Sequence, residues 1–210
     1  MDSTASRRRK AILAGYELEP DIALELFTDP DAVVRAAALG ALERLDLLTE
    51  IEIAASLVDK SPMVRKRGLE AIAAGHHGDP LPLLEDKNPL VVETACWALG
   101  ERGESGSSIL IGVMAVATDH EDPLCREAAV AALGAIGHTA GLPGVLGALS
   151  DRPTVRRRAV LALAAFEGPE VEVALEQALT DRDWQVRQAA EDLLGDQRPS
   201  GVIHSKQTPT

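Results

Sequence analysis

The side chains able to hold a metal or attack a substrate are few and scattered. One His-Glu pair occurs, His120-Glu121, and one short loop gathers His76, His77 and Asp79. Imidazole nitrogens and carboxylates ligate zinc and iron, so a metal site would have to start at one of these two places. His120-Glu121 falls in a turn between two apolar segments, where the expectation is a solvated pair. His76-His77-Gly78-Asp79 is a conceivable surface chelate. His76, His77 and His138 follow the longer apolar segments, on the edge opposite His120. Cys96 and Cys125 occupy apolar slots of a repeated pattern and read as small core residues, not ligands or nucleophiles. There is no Ser-His-Asp spacing, no P-loop and no dinucleotide fingerprint. The loop Gly103-Glu104-Ser105-Gly106-Ser107-Ser108 lacks the Lys of a phosphate loop. No catalytic, cofactor-binding or metal residue is assigned, and the reading leans away from an enzyme.

Composition narrows the remaining classes. The chain has 210 residues, a net charge of -12 and five aromatics: Tyr16, Phe27, Trp97, Phe166 and Trp184. Its 46% apolar and 26% charged residues describe a folded chain. Ser105 to Thr118, the longest run free of Asp, Glu, Lys, Arg and His, is too short to span a bilayer. Arg7-Arg8-Arg9-Lys10 is followed by too little apolar sequence for a signal peptide, which points to the cytoplasm. Two cysteines fit a reducing compartment. The acidic balance opposes general nucleic-acid binding and anionic membranes, and so few aromatics leave little for base stacking.

What must position any functional side chain is a repeat. An acid, a few loop residues, an aliphatic and usually Arg are followed by a run rich in Ala and Leu. The Arg slot falls at Arg35, Arg65, Val92, Arg126, Arg156 and Arg187, spaced 30, 27, 34, 30 and 31 residues apart. Indels therefore fall between the phrases, as loops do on a repeated scaffold. After each slot the pattern is helical. Counting from the slot, position +3 is small (Ala38, Gly68, Ala95, Ala129, Ala159, Ala190), and +7 is Leu or Ile (Leu42, Ile72, Leu99, Leu133, Leu163, Leu194). Small residues let a neighbouring helix approach, and the branched residue fills the gap. This helix, B, is preceded in each unit by a shorter apolar helix, A, often opened by Pro. The third A segment, around Leu81-Pro82-Leu83-Leu84, is the shortest and is expected to be irregular.

These residues carry a resemblance. The period, the Asp-x-x-x-x-Val-Arg turn and runs such as Arg126-Glu127-Ala128-Ala129-Val130-Ala131-Ala132-Leu133 resemble HEAT repeats of the short kind named after phycobilisome lyases. The resemblance implies an all-α, right-handed solenoid of about six helix-turn-helix repeats. The expected organisation is a flexible stretch 1–5, a repeat domain 6–196 and a disordered tail 197–210. Within the domain, a capping helix 6–16 precedes repeats at about 19–46, 48–75, 79–103, 107–137, 139–168 and 169–196. A ladder of turn residues, Asp29, Arg35, Asp59, Arg65, Asp86, Arg126, Asp151, Arg156, Asp181 and Arg187, reads as architecture. Each acid can accept from the N–H groups that open helix B, and each Arg can pair with an acid of its own or the next repeat.

The same resemblance supplies tests. Deoxyhypusine hydroxylase, built from similar repeats, binds two irons through His-Glu pairs just after the slot. Here those places hold Ala36-Ala37, Lys66-Arg67, Glu93-Thr94, Glu127-Ala128, Arg157-Arg158 and Gln188-Ala189. Without nitrogen ligands that site cannot be built. A bilin lyase must hold a large chromophore, and the groove offers one Trp. A role like that of HEAT-like DNA glycosylases needs a basic face, whereas residues 19–59 carry ten acids against two bases.

In the family's superhelix helix B lines the concave side, and positions +1 and +5 vary most. Lys66, Glu70, Glu93, Trp97, Glu101, Glu127, Arg157 and Leu161 would then face a groove. Trp97, between Glu93 and Glu101, reads either as a partner anchor or as packing over small neighbours. Trp184 is expected to close the C-terminal end. The leading reading is a cytoplasmic, non-catalytic scaffold or adaptor that binds a protein in this groove as a monomer or weak dimer. The alternative is an enzyme or enzyme subunit related to bilin lyases or HEAT-repeat hydroxylases.

Overall fold

The computed structural model describes residues 2–196, so the tail 197–210 lies outside the described residues. Among these the chain is all α, with twelve helices and no strands. α1 (Thr4–Glu17) stands alone at the N-terminal end. Six units follow: α2 (Pro20–Phe27) with α3 (Ala32–Arg44), α4 (Glu50–Leu57) with α5 (Pro62–Ala73), a 3-10 turn (Leu81–Glu85) with α6 (Pro89–Arg102), and α7 (Ser107–Asp119) with α8 (Pro123–Ile136). The last two are α9 (Leu142–Ala148) with α10 (Pro153–Ala162), and α11 (Pro169–Ala178) with α12 (Trp184–Asp196). α1 begins at Thr4, two residues before the expected 6–16 span, because the Ser3 side chain accepts from Ser6 N–H and caps it.

Local chemistry sets these boundaries. The B helices open on short polar caps. Asp31, Asn88 and Asp122 accept from the N–H two residues on, and Pro62, Pro89, Pro123 and Pro153 occupy first-turn positions where no donor is needed. α6 and α8 end at Gly103 and Gly137, which sit in the left-handed region at φ 63° and 64°. The third A segment shrinks to a 3-10 turn because Pro80 and Pro82 leave too few donors for a longer ladder.

Packing orders the units into a solenoid. Each B helix packs on the next in an unbroken row from α1 to α12, whereas A elements meet one another substantially only around α7. The B row is the more closely packed of the two. Small residues permit that closeness. A Cβ on Gly134 of α8 would sit 2.8 Å from the Ala162 Cβ of α10, and one on Gly100 of α6 would sit 3.1 Å from the Ala132 Cα of α8. One large core runs from Leu69 to Ala190, while the first two repeats hold three smaller clusters, one of them Ile53 with Ala71 and Ile72. Cys96 and Cys125 are both fully buried in the large one.

Candidate partner groove and the turn ladder

The acids and arginines at the A–B turns form a physical ladder along one edge. Arg35, Arg65, Arg126 and Arg156 each reach forward to the acid of the next repeat with Nε and Nη2, and back to their own turn's carbonyls with Nη1. Arg35 donates to both carboxylate oxygens of Asp59 at 2.8 and 2.7 Å, and to the Asp29 and Pro30 carbonyls at 2.8 and 3.0 Å. Arg65–Asp86, Arg126–Asp151 and Arg156–Asp181 repeat this fork. Arg7 makes the same fork to Asp29, a rung the sequence reading left out although Arg7 stands in the α1 register. The pairing left open by sequence resolves in favour of the next repeat, so every rung ties two units together. Arg187 donates to its own Asp181 carbonyl at 2.6 Å.

The expected capping role of the ladder acids is corrected. Asp29, Asp59, Asp86 and Asp181 accept from the N–H two residues on, at 2.7 or 2.8 Å, and Asp151 from that of Arg152 at 2.6 Å. Those donors lie just before helix B, and a separate side chain such as Asp31 or Asn88 caps the helix itself.

Ionisation of the ladder follows from its geometry. At Asp151 and Asp181 the hydrogen bond from the arginine outweighs burial and holds the carboxyl below its usual range. At Asp59 and Asp86 burial opposes ionisation most strongly. The hydrogen bonds from Arg35 or Arg65 and from a backbone N–H together overcome it, so both are also lowered. The thiols move the other way. Burial pushes Cys96 upward, and burial together with the charges of Asp122 and Glu93 pushes Cys125 up to about 11. Both stay protonated and unreactive at neutral pH.

One rung is missing at both ends. Val92 replaces the arginine, and the residue opposite in the next repeat is His120, six residues before Arg126 just as Asp29 is six before Arg35. His120 Nδ1 accepts from the Asp122 N–H at 3.0 Å, doing the acid's local work without its charge. His120 is therefore a turn residue of the ladder and only partly exposed. Its spacing from Arg126 was the signal available in the sequence. Among the described residues, no group of three or more His, Cys, Asp and Glu side chains could hold a metal ion.

On the open face of the B row, two clefts meet across α8. Glu93, Trp97, Gly100 and Glu101 of α6 face Ala128, Ala131, Ala132 and Ala135 across a cleft of about 300 Å³. Ala131 and Ala135 also line a second cleft of about 360 Å³, with Gly134, Arg158, Leu161 and Ala165. Trp97 is 47% exposed and Leu161 37%. The Trp97 indole N–H donates to Glu101 Oε1 at 3.0 Å, which fixes the ring. Four of the candidate residues lie outside these clefts. Lys66 pairs with Glu70 one turn along α5, Glu127 faces Arg158 at 3.4 Å, and Arg157 is exposed on α10. Two side chains at +2 that sequence reading passed over cross the inter-helix gaps. Arg67 pairs with Glu43 of α3, and Arg158 reaches back to α8. Position +2 lies three residues before +5, on the same helix face, and that proximity was the missed signal. Trp184 is 64% exposed at the start of α12, so it does not pack over the end of the described residues as expected.

Comparisons with known proteins agree with this architecture. A family model described as HEAT repeats matches residues 111–195, and one described as the HEAT repeat associated with sister chromatid cohesion matches residues 23–42. The chain is built of HEAT repeats. Neither description is specific to phycobilisome lyases. Solved structures similar to it include the Escherichia coli protein YibA, at TM-score 0.64 and 19% identity over 92% of this chain and 76% of that one. An engineered protein matches at TM-score 0.62 and 19% identity, over 85% of this chain and 98% of its own. A designed armadillo repeat protein in complex with the peptide (KR)4 matches at 0.61 and 19%, over 84% and 98%. No curated protein sequence matches the chain. Among the described residues, no HEAT helix is long and apolar enough to cross a membrane.

Proposed function

We propose that this HEAT solenoid is a non-catalytic docking platform that holds a segment of another protein against the open face of α6, α8 and α10. The single observation that carries the reading is the paired cleft. A half-exposed Trp97 and an exposed Leu161 flank a floor of alanines and glycine, where a partner's side chains can enter and backbone can approach closely. Aromatic anchors beside small-residue shelves are where binding energy concentrates. The repeats differ in the residues they present to this face and agree, Val92 aside, at the slot, +3 and +7 positions that pack the stack, as expected if scaffold and recognition are separate. The designed armadillo neighbour that binds a peptide offers a precedent for the architecture.

A peptide-display library selected on the wild-type chain provides the test. Trp97→Ala with Leu161→Asp should abolish binding of the enriched clones while the helical circular dichroism is unchanged. Undiminished binding of every clone to that variant would remove the groove from consideration.

A further inference from the structure

Most acids on the open face of the B row are already matched by a base of this chain. Glu70 has Lys66 and Arg67, Glu43 has Arg67, and Glu127 has Arg158. Glu93 and Glu101 differ. Neither carboxylate meets a basic side chain among the described residues, and the facing wall of α8 offers only alanines. The nearest base in sequence, Arg102, is turned away to Glu104 and the Gly78 carbonyl. Between the two acids stands Trp97, one helical turn from each, about 6 Å along the axis in either direction. Glu101 uses Oε1 to hold the indole N–H, which leaves Oε2 available and keeps the ring in position.

A ring with a negative face, flanked by two unmatched carboxylates beside an uncharged cleft, is complementary to a cation on a flat, flexible stem. Guanidinium suits it best, because it stacks on an aromatic face and forks to a carboxylate at once. We infer that the occupant of the α6–α8 cleft is a basic segment of a partner protein, with an arginine laid over Trp97 between Glu93 and Glu101. This rests on the docking reading above and adds the chemistry of the partner. The alanine shelf of α8 takes the small or apolar neighbour of that arginine.

The test uses the full chain and two fluorescein-labelled octapeptides, (Arg-Ala)4 and (Glu-Ala)4, titrated by fluorescence anisotropy at low salt. Saturable binding of the first alone is expected. Glu93→Gln with Glu101→Gln should weaken it roughly tenfold, because a cation–π contact and a charged hydrogen bond are each of that order. The glutamine at position 101 still accepts from the indole, so the ring stays in place and only charge is lost. Trp97→Leu should weaken binding similarly. Asp21→Asn with Glu25→Gln removes the same two charges from the exposed side of α2 and should leave binding unchanged. Equal weakening by that outer pair would reduce the effect to net charge and overturn the proposal, as would no weakening by the groove pair. Binding of (Glu-Ala)4 that Trp97→Leu abolishes would overturn the basic partner while leaving the docking face standing. Loss of the docking face itself is read separately, from display clones that ignore the groove variant.

Discussion

Replacing Arg35 by methionine should cost about 3 kcal/mol, and adding Asp59→Leu should recover most of it. The Arg35 and Asp59 side chains are only 8% and 14% exposed. Methionine retains most of the stem but leaves the Asp59 carboxylate with a single donor, the Ser61 N–H at 2.7 Å, and leaves two turn carbonyls unserved. Removing one member of a buried pair costs about 3–5 kcal/mol, and the slight exposure here favours the lower end. Changing both members to apolar residues removes the stranded charge. What remains is the Ser61 N–H and the two turn carbonyls left without their partners, about 1 kcal/mol in all at this partly exposed edge. The protein contains its own version of the experiment. The Val92–His120 junction lacks both charges, yet α6 and α8 pack together extensively through Val91, Val92, Ala95, Cys125 and Ala129. Urea denaturation followed by circular dichroism reads the difference. With a slope of about 2 kcal/mol/M, the single variant should shift the midpoint down by about 1.5 M and the double by about 0.5 M. A double variant less stable than the single would refute the argument that the stranded carboxylate, not lost attraction, is the main cost.

Three further outcomes follow from the same geometry. The ladder carboxyls are lowered in the folded state, so the unfolded chain binds more protons near and below the ordinary aspartate value. Stability should be level from neutral pH to about 5 and fall as pH drops through about 4 and below, visible in urea midpoints across that range. Under mild acid, amide exchange should leave α6 and α8 protected longest, since their junction uses no ionised rung, and should open α2 to α5 first, where the core is broken into small clusters. Gly134→Val should destabilise by about 2–3 kcal/mol in thermal or urea melts, because its first carbon would already lie 2.8 Å from the Ala162 Cβ and the helices must separate. Gly147→Ala, with open space around it, should not.

The repeat architecture was readable because its signals are periodic. The slot residues, the small +3 positions and the Leu at +7 recur, so errors at one unit are corrected by the others. The irregular third A segment was readable from its shortness around Leu81-Pro82-Leu83-Leu84. What escaped was whatever depended on contact between units. Arg35 could have paired within its own turn; only the stacking distance decides that Asp59 is its partner and that Asp29 belongs to Arg7. His120 read as half of a solvated His-Glu pair because its neighbour is Glu121. Its place six residues before Arg126 shows it to be the ladder position where the acid is lost. The clefts were half readable. The +5 side chains Trp97 and Leu161 stood out as apolar among charges, but whether Arg67 and Arg158 bridge to the preceding helix depends on side-chain paths that no local pattern specifies.

The forward reach of each arginine also decides where the molecule could be shortened. Excising residues 151–180 would bring Asp181 to the place Asp151 holds, and Arg126 would find an equivalent carboxylate waiting. Excising 86–119 would set Arg65 against His120, a positive fork with nothing to grip. Interchangeability is thus built into the stretch of α10 and α11 and withheld from that of α6 and α7. The missing rung works as a seam whose two sides must be inherited together.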